Sequence, residues 1–229
     1  MIAGVDGCRS GWLAVLDDEG GRRWAKLFPT FADLLDSEAR LIIVDIPIGI
    51  MSDVPRVVDG AARVVLGHRA SCVFTAPYRS MLAAKSHEEA STIREAIDGK
   101  RCSRQAFEIM AKIAEVDALM SPGLQSRVLE GHPEVSFTTM RGGRPFDDKK
   151  KSDSGHTARL ETLRSFFPEV EVRAADRRPP GVARDDLVDA YAMLWTARRV
   201  VCGAARRLPA PLVNGSQRDE RGLRAEMLA

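Results

Sequence analysis

The chain has 229 residues, 45% of them hydrophobic, with 34 basic and 32 acidic side chains and a formal net charge of +2. That length suits one α/β domain with an elaboration, or two small ones, with apolar material enough for a sizeable core. The balanced charge neither argues for nor excludes nucleic acid and leaves that question to the charge distribution.

Cys8, Cys72, Cys102 and Cys202 are scattered without Cys-x-x-Cys spacing, so neither zinc nor paired disulfides are expected. Free thiols in a reducing cytosol are the expectation. The chain enters a strand at once, without the basic and then long apolar regions of a signal peptide. Its longest apolar stretch, Leu41 to Ile50, is broken by Asp45 and Pro47 and is too short to span a bilayer.

Strands are expected over roughly Ile2–Asp6 and Trp12–Asp17, then over Arg23–Phe28, where polar and apolar residues alternate. Asp18-Glu19-Gly20-Gly21 is the turn before the third strand. Three short strands joined by tight turns make an antiparallel meander. Thr30 is a plausible N-cap for a short helix over Phe31–Ser37. Leu41-Ile42-Ile43-Val44 is apolar at four consecutive positions, as suits a parallel strand covered on both faces. Pro47 should end its pairing, leaving Asp45 at the carboxyl end of the strand, where open α/β sheets place ligands.

Residues 54–121 read as mostly helical. Arg56, Asp59 and Arg63 follow helical spacing and suggest surface ion pairing. Ser103 caps a long helix over Gln105–Met120, with Phe107, Met110, Ile113, Val116 and Leu119 as its apolar stripe. Arg127–Phe137 reads as a further strand, ending near Glu130 or Gly131. Arg141 to Lys151 is basic and glycine-containing, and is expected to be a mobile surface loop. A helix is expected from Ser154 to Phe166, a short strand at Val170–Val172 and a linker at Arg177–Gly181. Asp185 opens a helix that is apolar nearly all round and should pack deep against the sheet. The tail from 206 to 229 has no pattern that places it.

Four elements deliver acids to where a site would form: Asp6, Asp45, Glu130 with Glu134 nearby, and the Asp185/Asp186/Asp189 group. On a helix Asp189 lies within about 60° of both Asp185 and Asp186. Hard oxygen donors of this kind suit Mg²⁺ or Mn²⁺. Two such ions about 3.5–4 Å apart would relieve the repulsion among the acids and serve phosphodiester cleavage. Each acid also has a plainer role. Asp6-Gly7 is a common turn pair, Asp45 and Glu130 can bond locally, and Asp185, Asp186 and Asp189 suit a helix N-terminus. His132 is a candidate proton shuttle or a structural histidine before Pro133. Lys149, Lys150 and Lys151, with Arg9, are candidates for holding a phosphate backbone.

The segments Gly4-Val5-Asp6-Gly7-Cys8-Arg9-Ser10-Gly11-Trp12, Val44-Asp45-Ile46-Pro47-Ile48-Gly49, Glu130-Gly131-His132-Pro133-Glu134-Val135-Ser136-Phe137 and Asp185-Asp186-Leu187-Val188-Asp189-Ala190 occur in that order. With Arg56…Asp59…Arg63 and Val73-Phe74…Pro77…Arg79 between them, they resemble the predicted ribonuclease H-like nucleases grouped as domain of unknown function number 429. The resemblance covers the chain to about Gly203. It implies a ribonuclease H-like α/β fold: a mixed sheet with a three-strand meander and then parallel strands, flanked by helices. It also implies a helical insertion at about 54–121 and one domain over 1–229. Within that superfamily the layout resembles the Holliday-junction resolvase branch. Carried over, Asp6, Glu130, Asp186 and Asp189 match the metal-holding acids, with Asp45, His132, Glu134 and Asp185 as further candidates. Asp45 stands where that branch often has no acid.

The expected activity is therefore a metal-dependent nuclease using Mg²⁺ or Mn²⁺, cytoplasmic, with nucleic acid as substrate and no membrane association. Two alternatives stand beside it. One is a catalytically silent binding or scaffold domain in which the acids only cap and pair. The other is a nucleotide-binding phosphotransferase of the actin-like or sugar-kinase type, although the Gly7–Gly11 turn lacks those proteins' Ser/Thr-rich phosphate loop.

Overall fold

The structure, a computed structural model, describes residues 1–18, 20–170, 180–210 and 216–229. Of the expected strand at 170–172 only Val170 is described, and residues 177–179 of the expected linker also lie outside the described residues.

A five-stranded mixed sheet forms the centre. β1 (Ile2–Cys8), β2 (Gly11–Asp17) and β3 (Arg23–Phe28) are the antiparallel meander, and β4 (Leu41–Val44) and β5 (Val128–Glu130) join in parallel on the other side of β1. The order across the sheet is β3-β2-β1-β4-β5. Between β4 and β5 lie α2 (Val57–Leu66), α3 (His87–Asp98) and α4 (Arg104–Leu119), with 3₁₀ turns at Gly67–Cys72 and Arg79–Ala83. α1 (Phe31–Leu35) follows the meander. α5 (Pro133–Met140), α6 (Asp153–Arg164) and α7 (Arg184–Val201) follow β5. No helix among the described residues is long and apolar enough to cross a membrane.

Strand periodicity divides the core into two layers. Ile2, Leu13, Val15, Ile43 and Leu129 face α7. Ala3, Val5, Ala14, Ile42, Val44 and Val128 face the opposite way, where Phe31 of α1 and Ile113 and Val116 of α4 cover them. Because both faces are buried, β1 and β4 read as nearly continuous apolar runs. The capping signals are realised at Thr30, whose hydroxyl accepts the Asp33 N–H, and at Ser103, which caps α4; Ser152 caps α6.

α7 is the helix that fixes the geometry. Leu187, Val188, Tyr191, Met193 and Leu194 are all buried. Each contributes about 1.5–3 kcal/mol on burial. The helix crosses β1 at Gly4, where even one methyl group has no room: a Cβ there would lie 1.9 Å from the Leu194 backbone nitrogen and 2.3 Å from the Ala190 carbonyl oxygen.

β5 ends at Glu130, as expected, and Pro133–Met140, for which no helix was expected, is one. Pro133 occupies its first position and His132 its N-cap position, and residues Pro133 to Thr138 are all buried, so the helix carries no amphipathic period to read. Arg56 and Asp59 are not surface residues: both are buried and paired with each other at 3.0 Å. The tail, which no pattern placed, docks into the core. Met227–Leu228 (β7) pairs with Arg207–Leu208 (β6), and Leu228 also bridges to Gly131 beside β5. Arg79 clamps this tail through Asp219 at 2.6 Å while holding Asp117 of α4 at 2.6 Å.

The close approach of α7 to β1 predicts that Gly4→Ala destabilises the protein by about 3 kcal/mol, the upper end for overpacking, since neither contacting atom is a side chain that can turn away. Urea denaturation would show it as a lower midpoint at unchanged slope; a loss below 1 kcal/mol would mean that the helix shifts freely on the sheet.

Candidate functional site

The register of the parallel strands determines which acids meet. Val5 of β1 pairs with Val44 of β4, and Val44 pairs with Glu130 of β5. Asp6 and Asp45 therefore stand together one residue beyond that row, where the Asp45 N–H donates to the Val5 carbonyl at 3.0 Å. By the two-residue alternation of strands both point to the α7 side, as do Gly4 and Ile43. Gly131, not Glu130, continues their row across β5: its N–H donates to the Val44 carbonyl.

Asp189 reaches the same place from the second turn of α7, with 1% of its surface exposed. Lys150, from the basic segment between α5 and α6, donates to Asp189 Oδ2 at 2.6 Å and lies 3.7 Å from Asp185. The other Asp189 oxygen, Oδ1, is buried without a hydrogen-bond partner. Asp186 accepts the Ala183 N–H at 2.7 Å, which caps α7, and it also borders the same cavity. Glu134 of α5 lines that cavity as well and is held at both oxygens by Arg159 of α6, each at 2.8 Å. His132 lines the cavity too, its Nδ1 buried and without a partner.

Electrostatics joins these groups into one cluster. Burial pushes Asp6 well above the ordinary carboxylate range, and Asp189, Asp45 and Asp186 push it further while Lys150 opposes them. Asp45 is raised by burial against the opposing pull of His132 and Lys150, with Glu134 adding to the rise. Asp189 is pushed up to about 7 by burial, again against Lys150. Lys150 itself is raised, first by Asp189, with burial opposing and Asp6 and Asp45 assisting.

Glu130 is not part of this cluster. Expected among the metal-holding acids, it points to the opposite face of the sheet, being one residue out of phase with Asp45. There it is buried with Arg56, whose guanidinium it accepts from, and with the Ile48 N–H at 2.7 Å. Arg56 in turn donates to Asp59, whose other oxygen accepts the Ala76 N–H at 3.0 Å. Burial pushes Glu130 up to about 7, with Arg56 and the Ile48 N–H pulling it down. It ties the start of the helical stretch to β5.

Of the basic candidates, Lys150 alone reaches the acids. Arg9, Lys149 and Lys151 are exposed around the cluster, Arg9 in the β1–β2 turn. The basic segment is anchored at its centre by Phe146, which is buried under Arg141 and Arg159 at 4.1 and 4.4 Å from its ring centre.

A cavity of about 320 Å³ opens from the acids toward the helical stretch. Its floor is Asp6, Asp45 and Lys150, and its walls bring in Arg69, Phe74 and Gln105, none of which the sequence singled out for the site. Phe74 falls in a segment that reads as a loop, and Gln105 in the first turn of α4; only the fold places them opposite β1.

The fold and this cluster define an α/β protein with buried carboxylates gathered at the carboxyl ends of two adjacent parallel strands. The chain belongs to the family described as "Protein of unknown function (DUF429)", whose model matches residues 4–213. No curated protein and no solved structure matches it.

Two outcomes follow from the electrostatics. Asp6, Asp45 and Asp189 hold protons to higher pH when folded than when unfolded. Each therefore costs stability as pH rises from the ordinary 3.8 toward the raised folded value, about 7 for Asp189. In cation-free buffer Asp6→Asn should melt above wild type at pH 7.5, with the gap closing toward pH 5; a gap that widens on acidification would contradict the assignment. On the other face, Arg56→Met leaves Glu130 buried and unpaired and should cost about 3–5 kcal/mol in chemical denaturation.

Proposed function

We propose that the chain is a divalent-cation-dependent hydrolase of phosphodiester bonds in nucleic acid, built on a ribonuclease H-like sheet. The observation that carries this reading is the meeting of Asp6, Asp45 and Asp189, from three separate segments, at one buried place beside a cavity, with Asp189 Oδ1 left without a partner. Ionised, such a cluster costs several kcal/mol per ion, a cost that Lys150 opposes only in part and that a bound cation would relieve. The strand order β3-β2-β1-β4-β5, with β1 antiparallel to β2 and parallel to β4, supports it as the layout the sequence motifs imply.

The residues suit Mg²⁺ or Mn²⁺ in kind, being hard carboxylate oxygens. Among the described residues no three His, Cys, Asp or Glu side chains already stand at ion-ligand spacing. Lys150 places its ammonium among the carboxylates instead. Asp6, Asp45 and Asp189 would hold the ion, with Asp186 bordering it. A bound divalent ion supplies Lewis-acid stabilisation of charge on the phosphoryl oxygens. Glu134, fixed by Arg159, and His132, with its unpartnered Nδ1, line the same cavity and would be the groups to take a proton from an attacking water. Arg9, Lys149 and Lys151 offer exposed positive charge for the flanking phosphates.

The Lys150–Asp189 bridge favours a second reading, a silent domain whose acids are neutralised internally. The phosphotransferase reading is weakened by the first turn: Cys8 pairs with Gly11, leaving two residues between the strands and no cradle for a phosphate.

Cleavage of branched, hybrid and single-stranded nucleic acids with Mg²⁺ or Mn²⁺ tests the proposal. Asp6→Asn and Asp189→Asn should each lower turnover by at least about 100-fold while remaining folded. Glu130→Gln, on the other face, should retain most of it. A wild-type protein that neither cleaves any of these nor binds Mn²⁺ by calorimetry leaves the silent domain as the answer.

A further inference from the structure

The cavity beside the acids has features that a cation site alone does not require. Of its floor, Asp6 is buried, while Asp45 and Lys150 are half-buried. Its volume, about 320 Å³, is near the lower end of the roughly 300–1,000 Å³ of small-molecule pockets. A cavity of that volume is too small for the two nucleotides of a base pair. One nucleotide fits it.

The walls match the parts of one nucleotide. Phe74 packs from the 3₁₀-linked segment against two core clusters and turns part of its surface to the cavity, with Ile109 of α4 beside it. An aromatic face and an aliphatic side chain make a sequence-tolerant platform for a base. Gln105, exposed on the first turn of α4, brings a donor and an acceptor together at the rim. Arg69 also lines the cavity, makes no ion pair among the described residues and has its Nε buried without a partner. From its place beside Cys72 it gives the cavity a second cation besides Lys150.

We infer that the cavity binds a single unpaired nucleotide, with its base against Phe74 and Ile109, Gln105 at the base edge, and its phosphate between Arg69 and Lys150 above the carboxylates. This deepens the hydrolase reading and rests on it for the reaction, but the nucleotide pocket is separately testable. The substrate is then a single strand, a flap, an extruded base or a short free nucleotide, in preference to an intact duplex. Extruding a base from a duplex costs a few kcal/mol, least at a mismatch, so unpaired positions should be selected.

Calorimetry with thymidine 5′-monophosphate, with and without Mn²⁺, tests the pocket without requiring cleavage. Gln105→Ala and Phe74→Ala should each weaken binding about tenfold. Phe74→Ala also removes core packing, and the exposed Gln105 keeps the test valid if that variant fails to fold. Cleavage of a thymidine oligomer, of the same oligomer in a perfect duplex, and of a dinucleotide separates strand from free nucleotide as the source. Preference of at least tenfold for either unpaired form over the duplex is expected. Equal cleavage of duplex and single strand, or monophosphate binding untouched by both substitutions, overturns the inference and leaves the hydrolase reading standing. Monophosphate binding that needs Gln105, in a protein that cleaves nothing, supports the pocket and removes the hydrolysis.

Discussion

The close contact of α7 with β1 at Gly4 is the constraint on which the site depends. Asp189 is carried in the same helix, one position before Ala190, whose carbonyl crowds Gly4. Packing of five large apolar side chains, at about 1.5–3 kcal/mol each, outweighs the several kcal/mol that a buried carboxylate costs. The helix therefore cannot retreat to relieve the repulsion between Asp189 and Asp6. The cost is met by raised proton affinity and by Lys150, not by movement. At Gly131, just beyond β5, a Cβ would meet side chains instead, Ile43 at 2.6 Å and Met193 of the same helix at 2.7 Å.

How much of the site was legible in the sequence turns on phase. Asp6, Asp45 and Asp189 each stand out as an acid next to an apolar run, and the fold brings all three together. Glu130 has the same local signature as Asp45, yet the register of β4 with β5 puts it level with Val44 and so on the other face. Without the pairing, a sequence does not say which of two neighbouring positions ends a strand in phase with another strand. Arg56 and Asp59 show the converse. Their spacing matches a surface ion pair on a helix, and only the neighbouring Glu130, distant by 74 residues, makes them a buried network. Arg69, Phe74 and Gln105 carry no local signal for a cavity, because each gains its place from how the helical stretch folds back over β1.

The fold itself was legible where local signals and burial agree. The meander is marked by its turns, the parallel β4 by four apolar residues in a row, and α4 by its serine cap. α5 escaped notice because a short helix buried on every side has no polar face, and its Val135–Phe137 run is as apt for a strand. The tail escaped for another reason. Its two-residue strands are too short to show a period, and its attachment runs through Arg79 to Asp219 and through Gln125 to the Arg224 backbone, pairings between distant segments.

Lys150 decides the electrostatic state of the cluster, and it comes from outside the sheet. Three acids, Asp6, Asp45 and Asp189, face one ammonium that bonds to only one of them, so the opposition is incomplete and Asp189 Oδ1 stays unpaired. A lysine is a compact charge on a flexible stem, suited to holding such a place and to leaving it. Its backbone, however, is not loose. Phe146 is buried beneath Arg141 and Arg159, Arg159 reaches the Asp148 carbonyl, and Ser152 caps the helix that follows. The same Arg159 grips Glu134 at both oxygens. One buried guanidinium therefore sets both the acid on the cavity wall and the root of the segment that supplies the cluster's internal cation. The charge balance at the strand ends is fixed by packing on α6, some distance from the carboxylates themselves.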